Sequence, residues 1–570
     1  MTEGMGTMNS ETKICQSCKA QFVIEPDDFG FYEQMKVPPP TWCPQCRLLR
    51  RMNWYGYRIL YRRKCDLTGE PIITFYHPDL PCKVYKQEAW WGDGWDPLSY
   101  GREYDFSRSF FAQYKELLDA VPRAALHTEY TTMINSEYSN SSSYQKNCYL
   151  CFKHITGEDT AYTNVALRTK NSFDVAYSAD PELCYEIVDV RRCYQAFFSQ
   201  DCEDCRDVYF CNDLVGCSDC VGCTGLRKKQ YCIFNEQLTK EEYQKRFAEF
   251  DFGTPESISE FRAKAYKLSL LSPRKAFYGH NNANSSGEYV YNSKNARDVY
   301  FVSDSENVRY SQLFMKGGTK NAYDFTAFGS SSEWVYEATW TGLNTNNVKF
   351  SVWNYRNHDT EYTFGCHGAG NLFGCVGMRK GEYCILNKQY TKEEYFELVG
   401  RIKKQMMEIP YIDKLGREYR YGEALPAEFS PWPYNETTAY EFFPITKEEA
   451  LTNGFSWRDP DPREYKEATM VVPEHIKDVT DEILKAILKC ESCAKNYQVI
   501  PMELQFLRRF KFPIPRQCPL CRDRARIRQL NPMQTHNRKC DKCQKSITTS
   551  YSPDRKEIVY CEQCYQAEVA

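Results

Sequence analysis

A chain of 570 residues is too long for one ordinary domain and sets an expectation of about three to five. A net charge of −3 excludes an overall polycation, so any nucleic-acid surface has to be local. With 42% hydrophobic and 26% charged residues the chain can bury real cores, which excludes a disordered polymer, and 15% aromatics favour β-rich architecture.

In chain order, residues 1–13 (MTEGMGTMNSETK) carry no apolar stretch resembling a signal peptide, and no run of about 18 apolar residues follows. The expectation is a soluble, cytoplasmic chain with no membrane partner. In that compartment 28 Cys grouped as CxxC point to metal and not to a disulfide framework.

Residues 1–64 read as a zinc ribbon. Cys15, Cys18, Cys43 and Cys46 form two CxxC knuckles with 24 residues between them. Zinc wants four tetrahedral soft ligands, and each knuckle offers two thiolates from one tight turn. Arg47, Arg50, Arg51, Arg58, Arg62 and Arg63 follow, interleaved with Tyr55, Tyr57 and Tyr61. Arg with Tyr suits phosphate contact and base stacking, so these residues are candidate nucleic-acid contacts. The competing reading is that they cover apolar faces and pair with the chain's own acids.

Residues 65–89 read as a degenerate, metal-free ribbon, with Trp90 and Trp91 packing in place of metal. A three-ligand Cys65, His77 and Cys82 site is the weaker alternative. Residues 90–133 read as a linker with a helix near Ser107–Ala120. Residues 134–243 and 281–395 are two β-repeat domains, in which short β-like segments recur about every twelve residues without hairpin dipeptides. That pattern predicts parallel β-solenoids with Asn at the corners and aromatics stacked inside; the alternative is a pair of β-sandwiches.

GCTGLRKKQYCIFNEQLTKEEY (222–243) matches GCVGMRKGEYCILNKQYTKEEY (374–395) at an offset of 152. Both end in a capping box, Thr239 with Glu242 and Thr391 with Glu394, and ITKEEA at 445–450 repeats the signal. Helices therefore cap the repeats over 239–280 and from 391. The latter runs into a Pro- and aromatic-rich strap that ends at 475.

Cys202, Cys205, Cys211, Cys217, Cys220, Cys223 and Cys232 resemble iron–sulfur spacing in part. The repeat replaces several of them with Ala, Leu or Asn, so stacked core cysteines are favoured over a cluster.

The carboxy-terminal end holds a ribbon over 476–530 (Cys490, Cys493, Cys518, Cys521) and another over 531–570 (Cys540, Cys543, Cys561, Cys564). Arg522, Arg524, Arg526 and Arg528 extend the candidate nucleic-acid set. An offset of 475 maps the first module onto the last without a gap: Cys15, Cys18, Cys43, Cys46 and Cys65 meet Cys490, Cys493, Cys518, Cys521 and Cys540. Thr68, Lys86 and Ala89 stand where Cys543, Cys561 and Cys564 would be, which is why the 65–89 ribbon reads as metal-free.

Cys-x2-Cys, an aromatic and acidic stretch, then Cys-Pro-x-Cys-Arg over 15–52 and 490–527 resembles the zinc-ribbon domain family found in many bacterial proteins. With the CDLTGE…DLPCKVYKQEAWWGD…YGREYDFSR stretch, the arrangement resembles large zinc-ribbon proteins of uncultivated bacteria. The resemblance implies metal binding and little else.

The fold class expected is mostly β: central parallel β-solenoid-like repeats with capping helices, flanked by small zinc ribbons. Four-thiolate sets leave no open ligand position, so the three zinc ions are structural. The function expected is a non-catalytic zinc-binding scaffold, with nucleic acid or a ribonucleoprotein as partner. A protein–protein adaptor is the first alternative and a solenoid carbohydrate enzyme using Asp174, Asp189, Asp207, Asp298, Asp304 or Asp324 the second. The duplicated ends suggest a pseudo-symmetric pair.

Overall fold

The computed structural model describes residues 9–314, 317–460 and 465–569. Residues 1–8 of the amino-terminal stretch, residues 461–464 of the strap and residue 570 of the last ribbon lie outside the described residues. The fold is mostly β and divides into two compact units that the chain threads in interleaved order. One comprises 1–126 with 278–459, the other 127–277 with 460–570. The amino-terminal module therefore belongs with the second solenoid, and the carboxy-terminal modules with the first. The two ends sit in separate units, each on its own solenoid.

In the unit containing the first solenoid, parallel partners lie twelve residues apart, as in Tyr194↔Arg206↔Ser218↔Gln230. This register is that of a parallel solenoid and excludes the β-sandwich alternative. Every third residue turns a corner at positive φ, as at Asp201, Asp204, Asp207 and Phe210. Asn and Asp tolerate that conformation best, which explains their recurrence. Corner amides of successive coils then bond in line: Asn135 donates to Asn147 at 3.1 Å, and Asn147 to Asp159 at 2.8 Å.

The residue after each corner points inward. Val175, Cys184, Ile187, Val190, Cys193, Ala196, Cys202, Cys205 and Val208 form one continuous core at this three-residue spacing. Three residues per side favour small side chains. Ser and Cys serve a second purpose there, because each accepts an amide from the next coil. Cys184 N–H donates to Ser172 Oγ at 3.0 Å, and Cys205 N–H to Cys193 Sγ at 3.3 Å. The cysteines of 202–232 are stacked core residues of this kind, buried and in register, as Cys220↔Cys232 shows. The expectation of aromatics inside is corrected for the first solenoid, whose core at this spacing is Val, Ile, Ala and Cys; in the second, Phe314 and Phe325 do stand at inward positions, their rings 4.8 Å apart. Aromatic ladders of the first, such as Phe198–Phe210 (4.8 Å), instead stand on corner columns outside the lumen.

The second solenoid repeats the plan, with an asparagine ladder running Asn284, Asn295, Asn307, Asn321. Two of its coils have thirteen residues (Tyr323↔Tyr336 and Tyr336↔Lys349). They shift the offset between the solenoids from 150 near Asp174/Asp324 to 152 at the matched segments. Both solenoids finish in an antiparallel turn-back, Cys232↔Gln237 and Cys384↔Gln389, which covers the open edge. The capping boxes then start helices Lys240–Ala248 and Lys392–Glu408, and a third starts Lys447–Thr452. The linker helix is Phe110–Ala120. Strap residues Leu425, Phe429, Trp432 and Tyr434 are buried, with Trp432 stacked on Phe75 at 5.3 Å.

Candidate metal centres and their arginine clamps

In each ribbon the first knuckle occupies the turn of a hairpin. Cys15 and Cys18 lie between strands Glu11–Ile14 and Gln21–Ile24; Cys490 and Cys493 lie between Leu488–Lys489 and Asn496–Tyr497. The second knuckle opens a helix, with Cys43 capping Pro44–Asn53 and Cys518 capping Pro519–Ile527. A helix N-terminus favours the thiolate over the thiol.

All three predicted sets come together. In each, the four sulfurs lie within 4.8 Å of one another. Cross-knuckle Sγ···Sγ separations are 3.7 Å for Cys18–Cys43, 3.8 Å for Cys493–Cys518 and 3.7 Å for Cys543–Cys561. Two thiolates on one tetrahedral ion at ~2.3 Å stand ~3.8 Å apart, so the donor sets fit a metal such as zinc. No cysteine is in a disulfide. Each set also shares one amide-to-sulfur bond: Cys43 N–H to Cys15 and Cys518 N–H to Cys490 at 3.2 Å, Cys561 N–H to Cys540 at 3.3 Å. Burial raises the Cys540 thiol, but amides of Cys543 and Cys561 outweigh it and hold it down to about 6.

The 65–89 ribbon keeps this frame without the thiols. Lys86 N–H donates to Cys65 Sγ at 3.2 Å, as Cys561 N–H does to Cys540. Arg63–Asp66 (3.2 Å) and Val84 N–H to Asp66 (2.7 Å) match Arg538–Asp541 (3.0 Å) and Val559 N–H to Asp541 (2.7 Å). Lys86, at the position of Cys561, turns out to solvent and pairs with Glu70 at 3.1 Å. His77 accepts from Asp79 N–H, and Cys65, His77 and Cys82 form no three-ligand set among the described residues.

The candidate nucleic-acid arginines divide by burial. Arg47, Arg50 and Arg51 are about as buried as any apolar residue, 1–2% exposed. Arg47 and Arg51 grip the two oxygens of buried Asp324 at 2.8 and 2.7 Å, and Arg50 bonds Glu337 at 2.9 Å and Glu423 at 3.0 Å. The other unit repeats the grip at offset 475: Arg522 and Arg526 hold Asp174 at 3.1 and 2.6 Å. The aromatic contact beside it repeats too, with Phe31 on Tyr323 at 3.9 Å and Phe506 on Phe173 at 4.9 Å. These five guanidiniums are turned inward, and a buried, paired guanidinium does not reach a phosphate. Arg58 pairs with Glu441 at 2.7 Å and Arg63 with Asp66; Arg524 is half-buried, while Arg62 and Arg528 are exposed.

A second clamp holds each outer ribbon. Arg379 Nη1 donates to Trp90 O at 2.6 Å, and the matching Arg227 donates to the hydroxyl of Tyr565 at 2.8 Å, Tyr565 being the counterpart of Trp90.

The acids considered for catalysis are engaged likewise. Asp174 and Asp324 sit in the clamps, Asp189 pairs with Arg191, Asp207 with Arg206 and Asp298 with Arg309, and Asp304 accepts from Asn292. Among the described residues no helix is long and apolar enough to cross a membrane.

One grouping escaped the sequence reading: Cys148, Cys151 and His154, all buried. Its C-x2-C-x2-H spacing was visible, but only the three-residue period of the lumen shows that all three point to one place.

This chain matches no protein-family model and no curated protein. What it does has to be argued from the two clamped solenoids themselves.

Proposed function

We propose that the chain is a non-catalytic, zinc-dependent scaffold in which each metal-folded ribbon braces the flank of a β-solenoid. The observation that carries this reading is the duplicated grip of two arginines, four residues apart on the knuckle helix, on one buried aspartate. A free nucleic-acid-binding arm would keep those guanidiniums in solvent. Zinc supports the brace because a short ribbon cannot bury enough apolar surface to fold alone. The partner is then a protein held on solenoid and ribbon surfaces, and the nucleic-acid reading keeps mainly the exposed Arg62 and Arg528.

The test is capture of partners from the native host with and without nuclease. The expected partner set is unchanged by nuclease. Loss of partners on nuclease treatment sinks this reading in favour of nucleic acid. So does retention on nucleic acid that collapses between about 50 and 200 mM salt.

A further inference from the structure

Near the start of the first solenoid, the four inward positions of one coil are Cys148, Cys151, His154 and Gly157. The two sulfurs and a ring nitrogen of His154 lie within 4.8 Å of one another, and the three residues are at most 2% exposed. Gly157 makes the arrangement possible: a Cβ there would stand 2.4 Å from His154 Cε1 and 3.0 Å from Cys148 Sγ. The missing side chain at the fourth inward position lets the imidazole lie across the lumen beside the thiols.

The site is short of hydrogen-bond partners. The His154 ring and the Thr163 hydroxyl reach only the Cys151 sulfur, and Gln145 Oε1 and Thr169 Oγ1 on the adjoining coils have no partner. By the twelve-residue register, Gln145 and Thr169 flank Gly157 in its column and Thr163 follows Cys151. A buried polar atom without a partner forfeits its hydration uncompensated, so such a concentration calls for a ligand. By contrast, the buried His367 ring is packed among the aromatic rings of Trp90, Trp91 and Trp353.

We propose that Cys148, Cys151 and His154 bind one thiophilic d10 cation, zinc or monovalent copper, inside the solenoid. Two thiolates and an imidazole are the donors both ions take, and binding releases the two thiol protons. Zinc needs a fourth donor, for which the unpartnered amide oxygen of Gln145 is at hand by register; monovalent copper needs none. The ion would pin the first coils of the solenoid, where the lumen is polar.

The neighbouring coil supplies the test, because Thr160, Thr163 and Ala166 occupy the same columns without a ligand set. The full chain and its Cys148→Thr/Cys151→Thr/His154→Ala variant are produced in zinc-supplemented and in copper-supplemented medium, and metal per chain is measured by elemental mass spectrometry. The expected result is one equivalent more in the parent chain than in the variant, with equal circular dichroism. The arm that shows the difference identifies the ion. Equal metal content in both arms overturns the proposal. Because the readout is this difference, it does not depend on whether the four-cysteine sets are filled. Should the variant fail to fold, X-ray absorption of the parent chain decides. The twelve knuckle ligands are all sulfur, so imidazole scattering in the metal shell supports the site and an all-sulfur shell overturns it.

Discussion

The ribbon at 540–564 and its counterpart at 65–89 are one fold with and without a metal set. The Asp–Arg brace, the amide bond to the first cysteine sulfur and the grip of a solenoid arginine recur in both. Three thiols are lost from the amino-terminal copy, and a larger aromatic anchor takes over: Trp90 is 1% exposed and packs 5.7 Å from Trp353 and 5.8 Å from His367. The difference teaches that the ribbon backbone needs a centre to hold it, and that a coordinated ion and a buried indole can each supply one. An ion held by the four thiols would act locally, within the ribbon. The indole acts only through the solenoid it is packed on.

Metal removal should break this comparison most sharply. Structural zinc contributes on the order of 10 kcal/mol per site to folding. Exhaustive chelation is expected to expose backbone amides of 490–521 and 540–564 to hydrogen exchange while those of 61–85 and of both solenoid lumens stay protected. Equal loss of protection in the 65–89 ribbon would show that it too depends on a metal.

Next in size are the clamps, where the two units should behave alike. Asp324→Asn and Asp174→Asn each remove the carboxylate that two buried guanidiniums share, leaving Arg47 and Arg51 with Glu337 at 3.5 and 3.6 Å, Arg522 with Glu503 at 2.8 Å and Arg526 with Asp523 at 3.6 Å. Removing one member of a buried ion pair costs about 3–5 kcal/mol. Both variants are expected to lose stability in denaturant titration, with protease sensitivity appearing first at the amino-terminal module for Asp324→Asn and at 490–527 for Asp174→Asn. A change under about 1 kcal/mol in either would mean that the arginines are held by packing alone.

The smallest effect separates the indole-centred ribbon by acid. Burial holds the His367 imidazole down to about 3, so the folded unit keeps it neutral while an unfolded chain protonates it near 6.5. The unfolded state therefore takes up the proton first, and stability falls as pH drops from about 6.5 towards 3. At pH 4.5 the loss is about 2–3 kcal/mol. His367→Phe should flatten the decline by that amount in thermal or denaturant unfolding of the full chain. Identical slopes in parent and variant would remove His367 from the support of Trp90.

Much of this architecture was legible locally. The knuckles, the offsets of 475 and 152 and the three capping boxes report short-range geometry, and spacing is what a sequence records directly. The corner asparagines were readable because few residues accept positive φ. The content of the lumen is not legible from twelve-residue recurrence alone; the three-residue period inside it puts most aromatics of the first solenoid outside and places Cys148, Cys151 and His154 together. The sequence leaves these arginines open between phosphate contact and pairing with the chain's own acids, because their carboxylate partners lie some 270–350 residues away with no periodic signal linking them.

By itself, then, the order of residues determined which segments fold as ribbons, coils and caps, because those depend on neighbours within a turn or a coil. Only the tertiary structure decided that each terminal module docks on the more distant solenoid, and that arginines suited to phosphate are buried against aspartate. A buried charge is settled by whatever opposite charge the completed fold brings to it, and no local pattern encodes that partner.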